Sequence, residues 1–112
     1  MLRIDDDNNI YLTRGDTAVI DVSIKDEDGN PYAMTTNDRL IFTLRKLWDK
    51  GTIILEKTVS IPEFDFSTDD TKDLDFGDYC FDIYLFNLGT EKLDTFIAEK
   101  KFTIGEEAHD FE

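Results

Sequence analysis

The amino-acid sequence predicts an all-β fold made of two antiparallel sheets packed face to face. Apolar and polar residues alternate with a period of two in four separate segments, as they do along strands that bury one face. Clusters of Gly, Asn, Asp and Pro separate these segments, as expected for turns between short strands. A single stretch, residues 67–74, favours a helical turn, so strands account for nearly all of the predicted regular structure.

The length and composition are those of one domain, which we assign to residues 1–112 with an acidic tail at residues 105–112 that we expect to be flexible. Hydrophobic residues make up 40% of the chain, which is enough for a core, and the single cysteine excludes an intramolecular disulfide. The net charge of −14 disfavours binding to nucleic acid and to anionic membranes, because both are negatively charged. The N terminus has no apolar stretch of signal-peptide length, so we expect a cytosolic product.

The N-terminal half contains three predicted strands. Residues 9–13 form a short strand, which ends before Gly15. Residues 18–25 form a second strand, in which Ala18, Ile20, Val22 and Ile24 share one face. Residues 26–31 make a turn, because Gly and Asn tolerate positive φ and Pro has a preset φ. Residues 40–45 alternate again and form the third strand.

The middle of the chain predicts a hairpin followed by another short strand. Residues 49–51 offer a three-residue hairpin loop that ends in Gly51, where a left-handed conformation is needed. Residues 52–59 form the returning strand, and residues 61–66 form the next one.

The C-terminal third begins with the helical turn at residues 67–74, which a serine or threonine at its start can cap. Residues 79–86 form a strand rich in aromatic and β-branched residues, residues 87–92 turn the chain, and residues 93–104 form the last strand. On this last strand, one face is predicted to carry Phe96, Ala98, Phe102 and Ile104.

The alternating positions predict which side chains form the core between the sheets. These are Ala18, Ile20, Val22, Ile24, Leu40, Phe42, Leu44, Tyr79, Phe81, Ile83, Leu85, Phe96 and Phe102. With seven or eight strands expected, the pattern favours an antiparallel sandwich of immunoglobulin-like type.

One short motif supports the prediction of an immunoglobulin-like sandwich. Asp75-x-Gly77-x-Tyr79 resembles the tyrosine corner of immunoglobulin-like domains, at the start of the penultimate strand. We therefore expect the Tyr79 ring to be buried and its hydroxyl to bond to the backbone of residues 71–75. Phe81 stands where an antibody domain has a cysteine, and Cys80 should point to the opposite face.

A second resemblance depends on the order of several short motifs. Ile10-Tyr11-Leu12-Thr13-Arg14-Gly15-Asp16-Thr17 comes first, followed by Asp28-Gly29, an apolar strand ending in Arg45-Lys46, Thr71-x-x-Leu74 and Gly77-x-Tyr79-x-Phe81-Asp82-Ile83. This order is similar to that of small β-sandwich proteins from the tail and baseplate regions of phages and prophages of Gram-positive bacteria. It resembles the amino-terminal module of baseplate upper proteins and the long-tail-fibre sandwich family.

The resemblance implies a non-enzymatic structural or adaptor role in a tail or baseplate, acting by protein–protein docking. The implied partners are other tail or baseplate proteins, with self-association as a further expectation. The implied location is the bacterial cytoplasm when the chain is made and the virion once it is assembled. A rival function, suggested by the charge of −14, is an acidic DNA mimic that inhibits a host nucleic-acid-binding enzyme.

No group of residues predicts catalysis, a metal site or a cofactor. His109 is the only histidine and lies in the acidic tail, so neither a catalytic triad nor a zinc site is expected. Clustered acids at residues 5–7 and 26–30 offer oxygen ligands for calcium, but they lack the full EF-hand spacing, and solvated turns are the simpler interpretation. Arg14-Gly15-Asp16 spells an integrin-binding tripeptide, for which a Gly-centred turn is likewise the simpler interpretation.

Apolar residues beyond those needed for one buried face predict an interface. The strand at residues 52–59 has three consecutive large aliphatic residues, which suits an edge strand that pairs with a partner. The candidate interface residues are Trp48, Ile53, Ile54, Leu55, Tyr84 and Phe86.

Overall fold

The structure, a computed structural model, describes residues 1–106 except for the side chain of Phe96. Within these residues the regular elements are β1 (Leu2–Ile4), β2 (Ile10–Thr13), β3 (Ala18–Asp21), β4 (Asp38–Lys46), β5 (Asp49–Val59), β6 (Glu63–Phe66), α1 (Thr68–Thr71), β7 (Gly77–Asn87) and β8 (Leu93–Gly105). The prediction of an all-β fold is confirmed. The helical turn also forms where expected, with the Asp70 carboxylate accepting a hydrogen bond from the N–H of Ser67 at 2.8 Å.

The strands form one large sheet and one small one. The large sheet has six strands in the order β1-β2-β8-β7-β4-β5, and the small sheet pairs β3 with β6. Strand β2 runs parallel to β8, with Ile10 opposite Phe102, so the large sheet is mixed and the prediction of purely antiparallel sheets is wrong at this pair. A parallel pair needs a crossover connection, and here the whole stretch from β3 to β7 lies between the two strands.

The core lies between the small sheet and one face of the large sheet. Phe42 is its centre, and its ring lies 5.3 Å from that of Phe81, 5.3 Å from that of Phe66 and 5.9 Å from that of Phe102. Every predicted core residue with a described side chain is either buried or packed against the core. The core also includes Ile10, Leu12, Phe64, Phe66 and Ile104.

The tyrosine corner is confirmed. Tyr79 is buried, and its hydroxyl donates to the backbone carbonyl of Asp75 at 2.7 Å. Nearby, the N–H of Gly15 donates to Thr71 Oγ1 at 2.8 Å, and the Arg14 guanidinium lies 4.0 Å from the centre of the Phe76 ring. The Arg-Gly-Asp tripeptide is therefore part of a structural junction that joins the turn after β2 to α1.

Two predicted boundaries are wrong in the first half of the chain. Strand β3 ends at Asp21 because the chain then leaves the small sheet, although Ile24 stays buried. The β4–β5 turn falls on Leu47 and Trp48, since Lys46 already pairs with Asp49. Gly51 therefore lies within β5 and not in the turn.

The face pattern predicted for the last strand is also wrong in part. Phe81 pairs with Lys100 but Ile83 pairs with Ile97, so β8 carries an extra residue there that inverts its alternation, and a second register shift follows between Ile83 and Tyr84. As a result Ala98 is exposed and Ile97 packs against the core. The side chain of Phe96, predicted to be in the core, lies outside the described part.

The predicted tail begins too early. Gly105 is the last residue of β8 and is buried, and its carbonyl accepts a hydrogen bond from the N–H of Arg14 at 3.0 Å. Residues 107–112, including His109, lie outside the described residues.

Candidate docking face

The face of the large sheet that points away from the small sheet is the candidate functional surface, and we call it the outer face. Side chains point alternately to the two faces along a strand. On β4 and on β7, the residues that alternate with the core positions therefore lie on the outer face. They are Arg39, Ile41, Thr43 and Arg45 on β4, and Cys80, Asp82, Tyr84 and Phe86 on β7. The small sheet covers only the opposite face, so this surface is built from the side chains of one sheet.

A small recess lies in the middle of the outer face. It has a volume of about 210 Å³ and is lined mainly by Thr43, Arg45, Lys50, Cys80, Asp82 and Glu99. The register of β4 and β7 brings together its two central residues, because Thr43 lies directly opposite Asp82. Thr43 is 0% exposed although it is on the outer face, so its neighbours enclose it.

Two oxygen atoms in the recess have no hydrogen-bond partner among the described residues. They are Thr43 Oγ1 and Asp82 Oδ1, and both are buried. Burial raises the pKa of Asp82, and the nearby positive charge of Arg45 opposes this in part. Buried polar atoms are nearly always paired in folded proteins, so these two atoms mark the recess as unusual.

The cysteine of the recess is not set up for nucleophilic chemistry. Cys80 Sγ lies 3.7 Å from the carbonyl oxygen of Arg45 and 3.9 Å from that of Lys46. Burial raises the pKa of the thiol, and the negative charge of Glu99 raises it further. Both effects disfavour the thiolate, which is the reactive form.

The predicted interface residues fall into three groups. Tyr84 and Phe86 are half-buried on the outer face, beyond the recess. Trp48 and Ile53 lie near the other end of the face, at the β4–β5 hairpin, and are 82% and 46% exposed. The remaining two, Ile54 and Leu55, pack against the core. The interface itself stays a prediction.

Strand β5 is an edge strand, as suspected from its sequence, but its edge is irregular. Arg45 pairs with Ile53 and Lys46 with Asp49, so residues 50–52 bulge out of the regular ladder. Lys57, farther along β5, forms an ion pair with Asp70 at 2.8 Å. Bulges and charges of this kind hinder the addition of another strand.

A concavity larger than the recess lies at the opposite end of β4 from the hairpin. It has a volume of about 560 Å³ and includes Ile24, Tyr32, Leu85 and the buried carboxylate of Asp38. Burial would raise the pKa of Asp38, but hydrogen bonds from Thr35, Tyr32 and Asn87 outweigh it and lower the pKa to about 2. Because this carboxylate is fully engaged, we assign it a structural role in tying residues 32–38 to the β7–β8 turn.

In both acidic turns, a carboxylate accepts hydrogen bonds from backbone N–H groups of the same turn. Asp5 Oδ1 accepts hydrogen bonds from the N–H groups of Asp7 and Asn9, and Asp26 Oδ1 accepts from those of Asp28 and Asn30. Within residues 1–106, no cluster of three or more metal-ligating side chains forms. No helix in this same part of the chain has the length and apolar character needed to cross a bilayer.

The sequence did not predict the recess. Thr and Asp at outward strand positions are what an ordinary solvated surface contains, and their meeting depends on the register of two strands that are distant in sequence. Comparisons with protein-family models, curated proteins and solved structures found no match to this chain.

Proposed function

We propose that this protein is a non-enzymatic docking module that joins other proteins through the outer face. One observation carries the docking role: an uncovered sheet face where two buried, unpartnered oxygens adjoin two half-buried aromatic residues. Interface hot spots are enriched in aromatic residues such as Tyr and lie in parts of the surface from which water is excluded. Tyr84 and Phe86 supply the aromatic part and Asp82 the polar centre.

We further propose that the partners belong to a phage or prophage tail or baseplate, with the chain acting as an adaptor between them. Support for this placement comes from the order of sequence motifs, from Ile10-Tyr11-Leu12 to Gly77-x-Tyr79, which resembles that of tail-associated sandwich modules. An adaptor needs at least two contact surfaces. The outer face is one, and the β4–β5 hairpin with the exposed Trp48 is the other.

The test is whether the protein is incorporated into purified particles. Particles from the strain that encodes this chain are purified and probed with an antibody against it. The wild-type protein is expected in the particles, and the double variant Tyr84→Ala/Phe86→Ala is expected to be lost from them while remaining folded in the cell extract. Val19→Ala is the matched control, because Val19 is an exposed apolar residue on β3, away from the outer face.

Two results contradict the proposal. If the double variant enters particles as well as the wild type does, the outer face is not the docking surface. If the wild-type protein is absent from particles but binds a host nuclease or polymerase tightly and in a salt-sensitive way, the DNA-mimic function replaces the adaptor function.

A further inference from the structure

The turn of the β4–β5 hairpin presents two large apolar side chains to solvent. They belong to Leu47 and Trp48, which are 41% and 82% exposed. Two-residue hairpin turns favour Gly, Asn and Asp because these residues tolerate positive φ, but neither Leu47 nor Trp48 has a positive φ. The backbone of the turn therefore gives no reason for a tryptophan there, whereas tryptophan is enriched among the residues that anchor interfaces.

The hairpin is also a positive region on a strongly negative chain. Residues 45–50 contain three cations and one acid, although the whole chain has a net charge of −14. Lys50 forms an ion pair with Glu99, so Arg45 and Lys46 supply the positive charge beside the turn. A surface that fits this hairpin should be concave, apolar inside and negative at its mouth.

The same chain has a concavity of this kind at the other end of β4, which we call the end pocket. Ile24, Tyr32 and Leu85 supply its apolar lining. Its volume of about 560 Å³ is within the roughly 300 to 1,000 Å³ of pockets that hold small ligands, so an indole ring fits. The charged residues at its mouth are exposed, so a side chain from outside can enter. They are Lys25, Asp26, Glu27, Lys92 and Asp94.

The end pocket is negative. Its lining has four carboxylates, including the buried one of Asp38, and only two lysines. The pKa of Asp38 is about 2, so this carboxylate is charged at neutral pH. The excess of negative charge complements Arg45 and Lys46 of the hairpin.

We propose that Trp48 of one copy of this chain inserts into the end pocket of a second copy, with Arg45 and Lys46 facing the carboxylates at its mouth. This inference rests on the contact role proposed above for the hairpin and assigns its partner, without using the outer face. The hairpin and the end pocket lie at opposite ends of β4, so the contact is head to tail and further copies can add in a row.

The first measurement is sedimentation velocity of the full chain at about 0.15 M salt, where repulsion between the negative copies is screened beyond about 8 Å. As the concentration rises to the millimolar range, the wild type is expected to form dimers and then longer species. Trp48 is the only tryptophan, so its fluorescence emission should move to shorter wavelength over the same concentrations. Trp48→Ala should weaken the association by about thirtyfold or more, as expected for an interface anchor.

A double variant of the pocket mouth, Glu27→Lys/Asp94→Lys, should also be monomeric. It lowers the negative charge of the chain, so stronger repulsion between copies cannot explain the loss. Asp6→Lys/Asp65→Lys makes the same charge change at exposed positions outside the hairpin and the end pocket, and should associate at least as well as the wild type. Thermal melting checks that every variant is folded.

Mixing the two monomeric variants gives the decisive result. Trp48→Ala keeps an intact end pocket, and Glu27→Lys/Asp94→Lys keeps an intact hairpin. The mixture is expected to form a dimer that grows no further, because the remaining hairpin and the remaining pocket are both defective. Only the pocket variant contains tryptophan, so its emission should shift when Trp48→Ala is added.

Four results would overturn the inference. They are a wild type that stays monomeric at millimolar concentration, a wild type that stops at dimers, a Trp48→Ala variant that associates like the wild type, and a mixture that stays monomeric. None of them bears on Tyr84 and Phe86 or on entry into particles, so this inference and the proposed function fail separately.

Discussion

Replacing Asp38 with asparagine tests whether one buried carboxylate holds the end of the sandwich together. Asp38 is 1% exposed, and its oxygens accept hydrogen bonds from the Tyr32 hydroxyl at 2.6 Å, the Thr35 N–H at 2.9 Å and the Asn87 side-chain amide at 2.9 Å. Asparagine has one acceptor oxygen and no charge. At neutral pH we expect Asp38→Asn to lower the free energy of unfolding by about 2 to 3 kcal/mol, because buried donors lose a charged acceptor.

The size of this effect should depend on pH. The folded pKa of Asp38 is about 2, against an ordinary value of 3.8. A lowered folded pKa contributes stability that is complete above the unfolded pKa and is lost as the pH falls through the folded pKa. At pH 7 the lowered pKa of Asp38 contributes about 2 kcal/mol to the free energy of unfolding, and roughly half of this contribution is lost by pH 3. The stability gap between the wild type and Asp38→Asn should therefore narrow by about 1 kcal/mol between pH 7 and pH 3.

Urea unfolding at the two pH values, followed by far-ultraviolet circular dichroism, measures this gap. Circular dichroism is the better signal because the only tryptophan, Trp48, is 82% exposed and reports poorly on unfolding. Asp28→Asn, at an exposed position in the 26–31 turn, controls for the general loss of a negative charge. The reasoning is refuted if the gap is the same at pH 7 and pH 3, or if Asp28→Asn behaves like Asp38→Asn.

Three further substitutions test the core and the close contacts of the fold by chemical or thermal unfolding. Tyr79→Phe should cost about 1 kcal/mol, because it removes the hydroxyl that donates to the Asp75 carbonyl, and an unchanged melting temperature would count against the tyrosine corner. Phe81→Ala should cost about 3 to 5 kcal/mol, since Phe81 is buried and stacks on Phe42, and a loss below about 1 kcal/mol would contradict its central place. Gly105→Ala should cost about 1 to 3 kcal/mol, because a Cβ there would clash with the ring and hydroxyl of Tyr11. The cost of Gly105→Ala should shrink in a Tyr11→Ala background, and an undiminished cost would show that Tyr11 is not the obstacle.

Much of this fold follows from local patterns in the sequence. Period-two alternation places Ile20, Phe42 and Phe81 in the core, because a strand with one buried face repeats every second residue. Turn chemistry places the 26–31 turn, where Gly29 has a φ of +82°. The Asp75-x-Gly77-x-Tyr79 motif anticipates a specific hydrogen bond, since a buried phenol needs a partner.

Local patterns fail where the backbone departs from regular pairing. The extra residue in β8 moves Ala98 to the surface, and the early pairing of Lys46 with Asp49 moves the turn away from Gly51. Alternation along a single strand carries no information about a bulge, because a bulge depends on the strand opposite.

The large-scale arrangement and the candidate site were decided only by the tertiary structure. The parallel pairing of β2 with β8 joins the two ends of the described chain, and no local preference specifies which distant strands become neighbours. The recess arises in the same way. Thr43 and Asp82 are ordinary polar residues until the β4–β7 register sets them opposite each other and the neighbouring side chains bury their oxygens. Local sequence determines which residues share a face along a regular strand, whereas the residues that they meet there, and the bulges that interrupt the alternation, are determined by long-range register.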